Sequence, residues 1–272
     1  MLTRIVVSVV LAPLFLAVLL FAPVGIVTFM VTGIVTIAAF ELLRAVGAEK
    51  NQFSCAVTLA AAALIPQCYW RQTDSWAIRL VLLGLLFALS LAAVFSYGTE
   101  KAVRVEHILF GLFGGVLYPV LMSCLVQLRM MENGPFLVML PIVSAFLTDT
   151  GAYFVGMFLG KHRGIVPVSP NKSAEGFVGG LLSGVLFMLS YGLVMAHGFG
   201  LDVNMLRLAL YGFAGSFVTM LGDLAFSLIK RQFGIKDYGS LIPGHGGMLD
   251  RFDSMSFAAP TMWMLATLLP AI

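Results

Sequence analysis

ALYGFAGSFVTMLGDLAFSLIK, from Ala209 to Lys230, carries one charge, Asp223, ahead of the lysine that closes it. About 20 consecutive apolar residues is the length of a helix that crosses a bilayer. The stretch therefore predicts a transmembrane helix with an acid inside the membrane. An Asp near the middle of such a helix costs roughly 2.5–3.5 kcal/mol on insertion scales, and such residues face a cavity, a partner or an ion. The same pattern recurs upstream in LVMLPIVSAFLTDTGAYFVGMFLG, where Asp149 interrupts the apolar run. One reading is a structural polar pair that locks two helices together. The other is a cation or substrate site, and the neighbouring residues favour it. Gly151, Ala152, Gly156 and Gly160 make a small-residue face that allows close approach. Asp223, Ser227 and Lys230 or Arg231 recur at helical spacing, so one face runs from an acid in the membrane to bases at its surface.

The rest of the chain fits this reading. Of its 272 residues 60% are hydrophobic and 11% charged, against about 25% charged in soluble domains. The fold class is all-α, a polytopic helical membrane protein. Candidate spans lie near 5–22, 24–43, 53–69, 78–97, 107–128, 136–158, 177–197, 205–229 and 255–271, about nine in all. The boundary between the first two rests on Pro23 and Gly25. Residues 1–130 read as an N-terminal set of spans. Residues 131–272 read as a catalytic set that carries the polar loops 159–175 and 230–254. With the N-terminus inside, the 16 basic residues divide 12 to 4, and the positive-inside rule makes the richer side, with both loops, cytoplasmic. Cys55, Cys68 and Cys124 lie scattered without a CxxC pair, which argues against a disulfide framework or a zinc site. Glu41 and Arg44, three apart at a helix end, predict a local ion pair.

The segment after the opening stretch, KDYGSLIPGHGGMLDRFD, packs charge and glycine together. Pro243, Gly244, Gly246 and Gly247 make a breaker-rich turn, and glycines let backbone N–H groups approach an anion. Asp250 and Asp253 are three apart, so a helix starting near Met248 would point both roughly the same way. Carboxylates beside bases suit a metal–polyphosphate site, because Mg²⁺ prefers a few carboxylates plus phosphate oxygens. A solvated positive-inside loop explains the bases but not GHGG or the nearby acids. The other loop, GKHRGIVPVSPNKSAEGFVGG, adds Lys161, Arg163 and Lys172 with Ser169, Asn171 and Ser173 before a Gly-rich helix. A helix start with Ser and Lys beside it can take phosphate. No Walker A pattern occurs, so P-loop chemistry is excluded.

SLIKRQFGIKDYGSLIPGHGGMLDRFD, Ser227 to Asp253, resembles the signature of the phosphatidate cytidylyltransferases (CDP-diacylglycerol synthases), S-x-x-K-R-x4-K-D-x-G-x2-I-P-x-H-G-G-x-x-D-R-x-D, without departure. DTGAYFVG at Asp149 and SPNKSAEGFVGG at Ser169 are similar to family segments. They differ at Met157, where the family often has a base, and at Asn171, Ser173 and Ala174, where it often has Lys, Thr and an aromatic. The resemblance implies transfer of the cytidylyl group of CTP to phosphatidate, giving CDP-diacylglycerol and pyrophosphate for phospholipid synthesis. It implies Mg²⁺ as cofactor, with a second divalent or a monovalent cation left open, and Asp223 and Asp250 as metal carboxylates with Asp149 and Asp253 beside them. Lys230, Arg231, Lys236 and Arg251 would hold phosphates, and Asp237 belongs to the same catalytic set. His245 would orient the triphosphate along a path lined by Gly246 and Gly247. Ser169, Lys172 and Ser227 would bind substrate. The expected partners are CTP and bilayer phosphatidate, with no nucleic acid and with a homodimer left open. The expected place is a bacterial cytoplasmic (inner) membrane, with the site facing the cytoplasm.

Three alternatives bear on the same residues. A CTP-dependent polyisoprenol kinase would attack the γ-phosphate, and the full signature argues against it. A CDP-alcohol phosphotransferase needs a DGxxAR motif, which is absent. A cation-coupled membrane transporter would use Asp149 and Asp223 as ion ligands, but no internal repeat of the kind such proteins often show is visible.

Overall fold

The computed structural model describes residues 2–73, 75–241 and 246–272, with side chains from residue 12 onward. Among the described residues the regular elements are helices, and a β-bridge joins Arg163 to Ser173. Helices stand at all nine places where spans were expected. Seven of them are long and apolar enough to cross a membrane: Val24–Ala45, Gln52–Trp70, Ser75–Ser96, Val105–Met130, Gly134–Leu159, Ala174–Phe199 and Met205–Gln232. The first helix, α1 (Leu2–Phe21), has 20 residues, and its apolar described part is Ala12–Phe21. The last has only 14 residues, Met255–Leu268, short of a bilayer crossing.

The chain forms two compact units. The first unit comprises Met1–Gln127 and Gln232–Phe252. It holds α1, α2 (Val24–Ala45), α3 (Gln52–Trp70), α4 (Ser75–Ser96), α5 (Val105–Leu112), most of α6 (Tyr118–Met130) and the short α11 (Met248–Phe252). Pro23 ends α1 and opens α2, its carbonyl accepting the Ile26 N–H at 2.9 Å. Gly25 proves to lie inside α2, where an added Cβ would come within 3.0 Å of the Trp70 indole, so packing rather than chain breaking explains it. Asn51 caps α3 by accepting the Ser54 N–H at 3.0 Å. His107 Nδ1 accepts the Arg104 N–H at 3.2 Å at the start of α5. A π-helical turn, Phe113–Leu117, joins α5 to α6 within one span. Packed beneath these helices is an apolar cluster around Ile65, Leu85, Leu89 and Val116.

The second unit comprises Leu128–Arg231 and Asp253–Ile272. It holds α7 (Gly134–Leu137), α8 (Met139–Leu159), α9 (Ala174–Phe199), α10 (Met205–Gln232) and α12 (Met255–Leu268). Helices α8 and α9 pack closely, and the small-residue face after Asp149, read from the sequence as allowing close approach without a named partner, is what they share. A side chain at Gly151 would overlap Ser183, and one at Gly179 would overlap Val155. Between α8 and α10 the fully buried Thr148 hydroxyl donates to Ser216 Oγ at 2.9 Å, and Ser216 in turn donates to the Gly212 carbonyl at 2.6 Å. Such hydroxyls join helices where no water is present to satisfy them. The chain end is tied back to α10: the Asn204 N–H donates to Ala271 O at 2.9 Å and the Tyr211 hydroxyl to Leu269 O at 2.8 Å.

Candidate functional site

In the second unit the two intramembrane acids meet. Asp149 and Tyr153 on α8, Phe177 on α9, and Met220 and Asp223 on α10 line one cavity of about 440 Å³. The loop between α8 and α9 adds Arg163, Asn171 and Lys172 to its wall. That volume falls in the range of small-molecule sites. Acid, base and apolar surface face the same space, with Met157 on the apolar side.

The loop is folded so that Lys172 reaches inward. The Gly164 N–H donates to Lys172 O at 3.1 Å, and the Ala174 N–H to His162 O at 3.0 Å, so the chain doubles back before α9. Ser173 caps α9 by accepting the Gly176 N–H at 3.1 Å. Lys172 Nζ forms an ion pair with Asp223 Oδ2. Both side chains keep about 30% of their surface exposed, so the pair is open to a ligand. Ser169 shapes the turn by accepting the Lys172 N–H at 3.1 Å, and it is not among the residues lining the cavity. Arg231 Nε donates to Val168 O at 3.5 Å, which brings the base at the end of α10 onto the same loop. Ser227, one turn beyond Asp223, and Lys230 are half-buried on α10.

One contact between this loop and the start of α9 gave no signal in the sequence. Glu175 accepts the N–H of His162 at 3.2 Å and faces His162 Nδ1 at 2.6 Å, clasping the loop that carries Lys172. An acid at the first turn of a helix is common enough that nothing in the sequence joined it to His162.

Asp253 also belongs to the second unit. It is buried, with 7% of its surface exposed, and its Oδ1 accepts the Ser254 N–H at 2.6 Å. The Ser254 hydroxyl in turn reaches Asp149 Oδ2 at 3.5 Å. The helix expected near Met248 does begin there, but α11 ends at Phe252 and leaves Asp253 beyond it. Asp250 and Asp253 therefore do not share a helix face as the three-residue spacing suggested.

In the first unit the signature segment closes on itself. Asp250 Oδ2 accepts the N–H of Tyr238 at 2.8 Å and of Gly247 at 3.0 Å. Gly246 sits at φ +84°, a conformation open mainly to glycine, which accounts for that position independently of any ligand. Lys236, Asp237 and Arg251 are exposed on the same segment. His245, with Pro243 and Gly244, lies outside the described residues. The expected Glu41–Arg44 pairing gives way to two longer reaches. Glu41 accepts the N–H groups of Met248 and Leu249 at 3.0 and 2.8 Å, and Arg44 donates to Tyr238 O at 3.3 Å.

No group of three or more His, Cys, Asp or Glu side chains suited to a metal ion occurs among the described residues. Asp149 and Asp223 on one cavity wall nevertheless fit a cation that takes few protein carboxylates and completes its shell with substrate oxygens.

Residues 2–269 match the cytidylyltransferase family. Among curated relatives, a protein named phosphatidate cytidylyltransferase from Staphylococcus epidermidis is 47% identical over 120 residues, 44% of this chain and 45% of that protein. Proteins of the same name from Staphylococcus haemolyticus and Staphylococcus aureus are each 40% identical over 134 residues, 49% of this chain and 50% of theirs. The chain thus spans about half the length of the curated relatives it matches.

Proposed function

The chain belongs to the cytidylyltransferase family, and from that premise we propose that it transfers the cytidylyl group of CTP to phosphatidate, releasing pyrophosphate and leaving CDP-diacylglycerol in the bilayer. The observation that carries this reading is the cavity in the second unit. Its wall combines Asp149, Asp223 and Lys172 with Tyr153, Met157, Phe177 and Met220, inside a unit built of membrane-length helices. A phosphate head joined to acyl chains requires such a pairing of charge and hydrocarbon. The names of the relatives support the same substrates.

The chemistry asks for positioning more than for a protein nucleophile. A phosphate oxygen of phosphatidate attacks the α-phosphorus of CTP, that bond forms as the bond to pyrophosphate breaks, and the negative charge leaves on pyrophosphate. The attacking phosphomonoester has a second pKa near 6, so near neutral pH it is already largely ionised and needs little help from a base. Lys172 and Arg163 hold phosphate oxygens at the cavity wall, with Asn171 beside them. Arg231 and Lys230 extend this positive surface along α10, and Ser227 and Ser169 complete the substrate contacts. Asp149 and Asp223 would hold Mg²⁺ at the cavity wall, and the resemblance adds Asp250 and Asp253 to the carboxylates that would serve it. When bound, the ion would supply charge neutralisation for the triphosphate. In the signature segment Lys236, Asp237, His245, Gly246, Gly247 and Arg251 serve the triphosphate and pyrophosphate. The site opens to the cytoplasm of a bacterial inner membrane, where CTP is available.

The test is pyrophosphate release by the purified protein in detergent with CTP, phosphatidate and Mg²⁺. ATP or diacylglycerol is substituted in control reactions, and Asp223→Asn is run beside the wild type. Release that requires both substrates and is lost in the variant is expected. CDP without pyrophosphate would make it a kinase. Ion flux with no CTP turnover would make it a transporter.

A further inference from the structure

Glu41 is a charged residue in the apolar helix α2 with only 4% of its surface exposed. A buried carboxylate without partners is costly, so what faces it is informative. Its two oxygens accept from consecutive backbone N–H groups, Met248 to Oε1 at 3.0 Å and Leu249 to Oε2 at 2.8 Å. These are the first two residues of α11, whose N–H groups have no partner within their own helix. Two glycines of the signature pack against the same carboxylate. A Cβ added at Gly239 or Gly247 would collide with it. The loop is pinned again just beside this contact, where Asp250 accepts from Tyr238 and Gly247 and Arg44 donates to the Tyr238 carbonyl.

We propose that Glu41 is a positioning residue for Asp250: its carboxylate fixes the backbone at residues 247–249, and that backbone sets where the Asp250 carboxylate stands. Gly239 and Gly247 are then glycines because a carboxylate from α2 fills the space their side chains would need. The catalytic consequence rests on the cytidylyl-transfer reading, whereas the positioning does not.

The test uses the full chain in detergent with Glu41→Gln, Glu41→Ala, Gly247→Ala and the Glu41→Ala/Gly247→Ala double variant. Glu41→Gln keeps the shape but sets an amide NH₂ against one of the two N–H donors. Hydrogen exchange is expected to quicken at Met248 and Leu249, with α8 to α10 unchanged. The Mg²⁺ concentration for half-maximal pyrophosphate release is expected to rise about 10–100-fold, the range seen when a group that orients a metal ligand is lost. The KM for phosphatidate stays at its wild-type value. Gly247→Ala is expected to cost more in the wild-type background than beside Glu41→Ala, where its methyl has room. Wild-type exchange at 247–250 together with wild-type Mg²⁺ dependence in Glu41→Gln would overturn the proposal. So would faster exchange spread through the first unit with Mg²⁺ dependence unmoved, because that pattern marks a purely structural role. If Glu41→Ala does not fold, Glu41→Gln decides by the same two readouts. If the wild type releases no pyrophosphate, the functional reading fails, and hydrogen exchange alone still judges Glu41.

Discussion

Both units carry acids within helices that otherwise read as hydrocarbon, and they use them differently. In the second unit Asp149 and Asp223 line a cavity, and the ion pair to Lys172 remains partly open. In the first unit Glu41 and Asp250 accept backbone N–H groups of one loop. A membrane tolerates an acid for either reason, a ligand to hold or a backbone to satisfy. The partner atom, and not the residue type, tells which. The cavity acids are therefore expected to act on substrate and ion directly, and Glu41 to act only through the shape of the loop that carries Asp250.

The hardest test of this contrast is Asp223→Asn. Pyrophosphate release should fall more than about 100-fold, beyond the 10–100-fold range of groups that only orient a ligand. A loss no greater than that of Glu41→Gln, measured side by side, would erase the distinction. Next, Lys172→Ala should raise the KM for CTP by roughly 10–100-fold, since hydrogen bonds to charged groups are worth about 1.5–3 kcal/mol. An effect confined to kcat would move Lys172 from binding to the chemical step. Gly151→Val should force α8 from Ser183 on α9 and cost about 1–3 kcal/mol, the range for overpacking a well-packed site. The readout is thermal unfolding in detergent, and an unchanged midpoint would mean the helices can part freely. The smallest effect is expected from Glu175→Gln, which loosens the exposed clasp to His162. It should shift the KM for CTP in the same direction as Lys172→Ala and by less.

The sequence made much of this legible. The apolar runs located the long helices, because about 20 such residues leave few other options. Asp149 and Asp223 stood out because charge inside those runs is expensive, and the small residues after Asp149 foretold a close-packed face, though not that α9 would fill it. Other features stayed hidden for physical reasons. Glu41 sat three residues from Arg44, so a local pair was the natural expectation. Its real partners lie 207 and 208 residues away, and no spacing rule reaches that far. Those partners are backbone N–H groups, which every residue but proline carries, so no side-chain type marks them. Gly247 read as room for an anion and Gly239 drew no reading of its own, yet at both positions the space is taken by a carboxylate of the chain itself. The apolar wall from Tyr153, Phe177 and Met220 was indistinguishable from ordinary lipid-facing or core residues until α8, α9 and α10 were assembled.

The first unit is discontinuous in sequence: its last piece, Gln232–Phe252, arrives only after the second unit's first piece, Leu128–Arg231. At about 5–20 residues per second of synthesis, the 207 residues between Glu41 and Met248 correspond to roughly 10–40 s. During that interval a newborn chain holds an acid at the end of its second helix with its eventual partners not yet made. Assembly of the first unit therefore has a clock set by the ribosome. Chains halted before residue 248 should be the ones that quality-control proteases recognise.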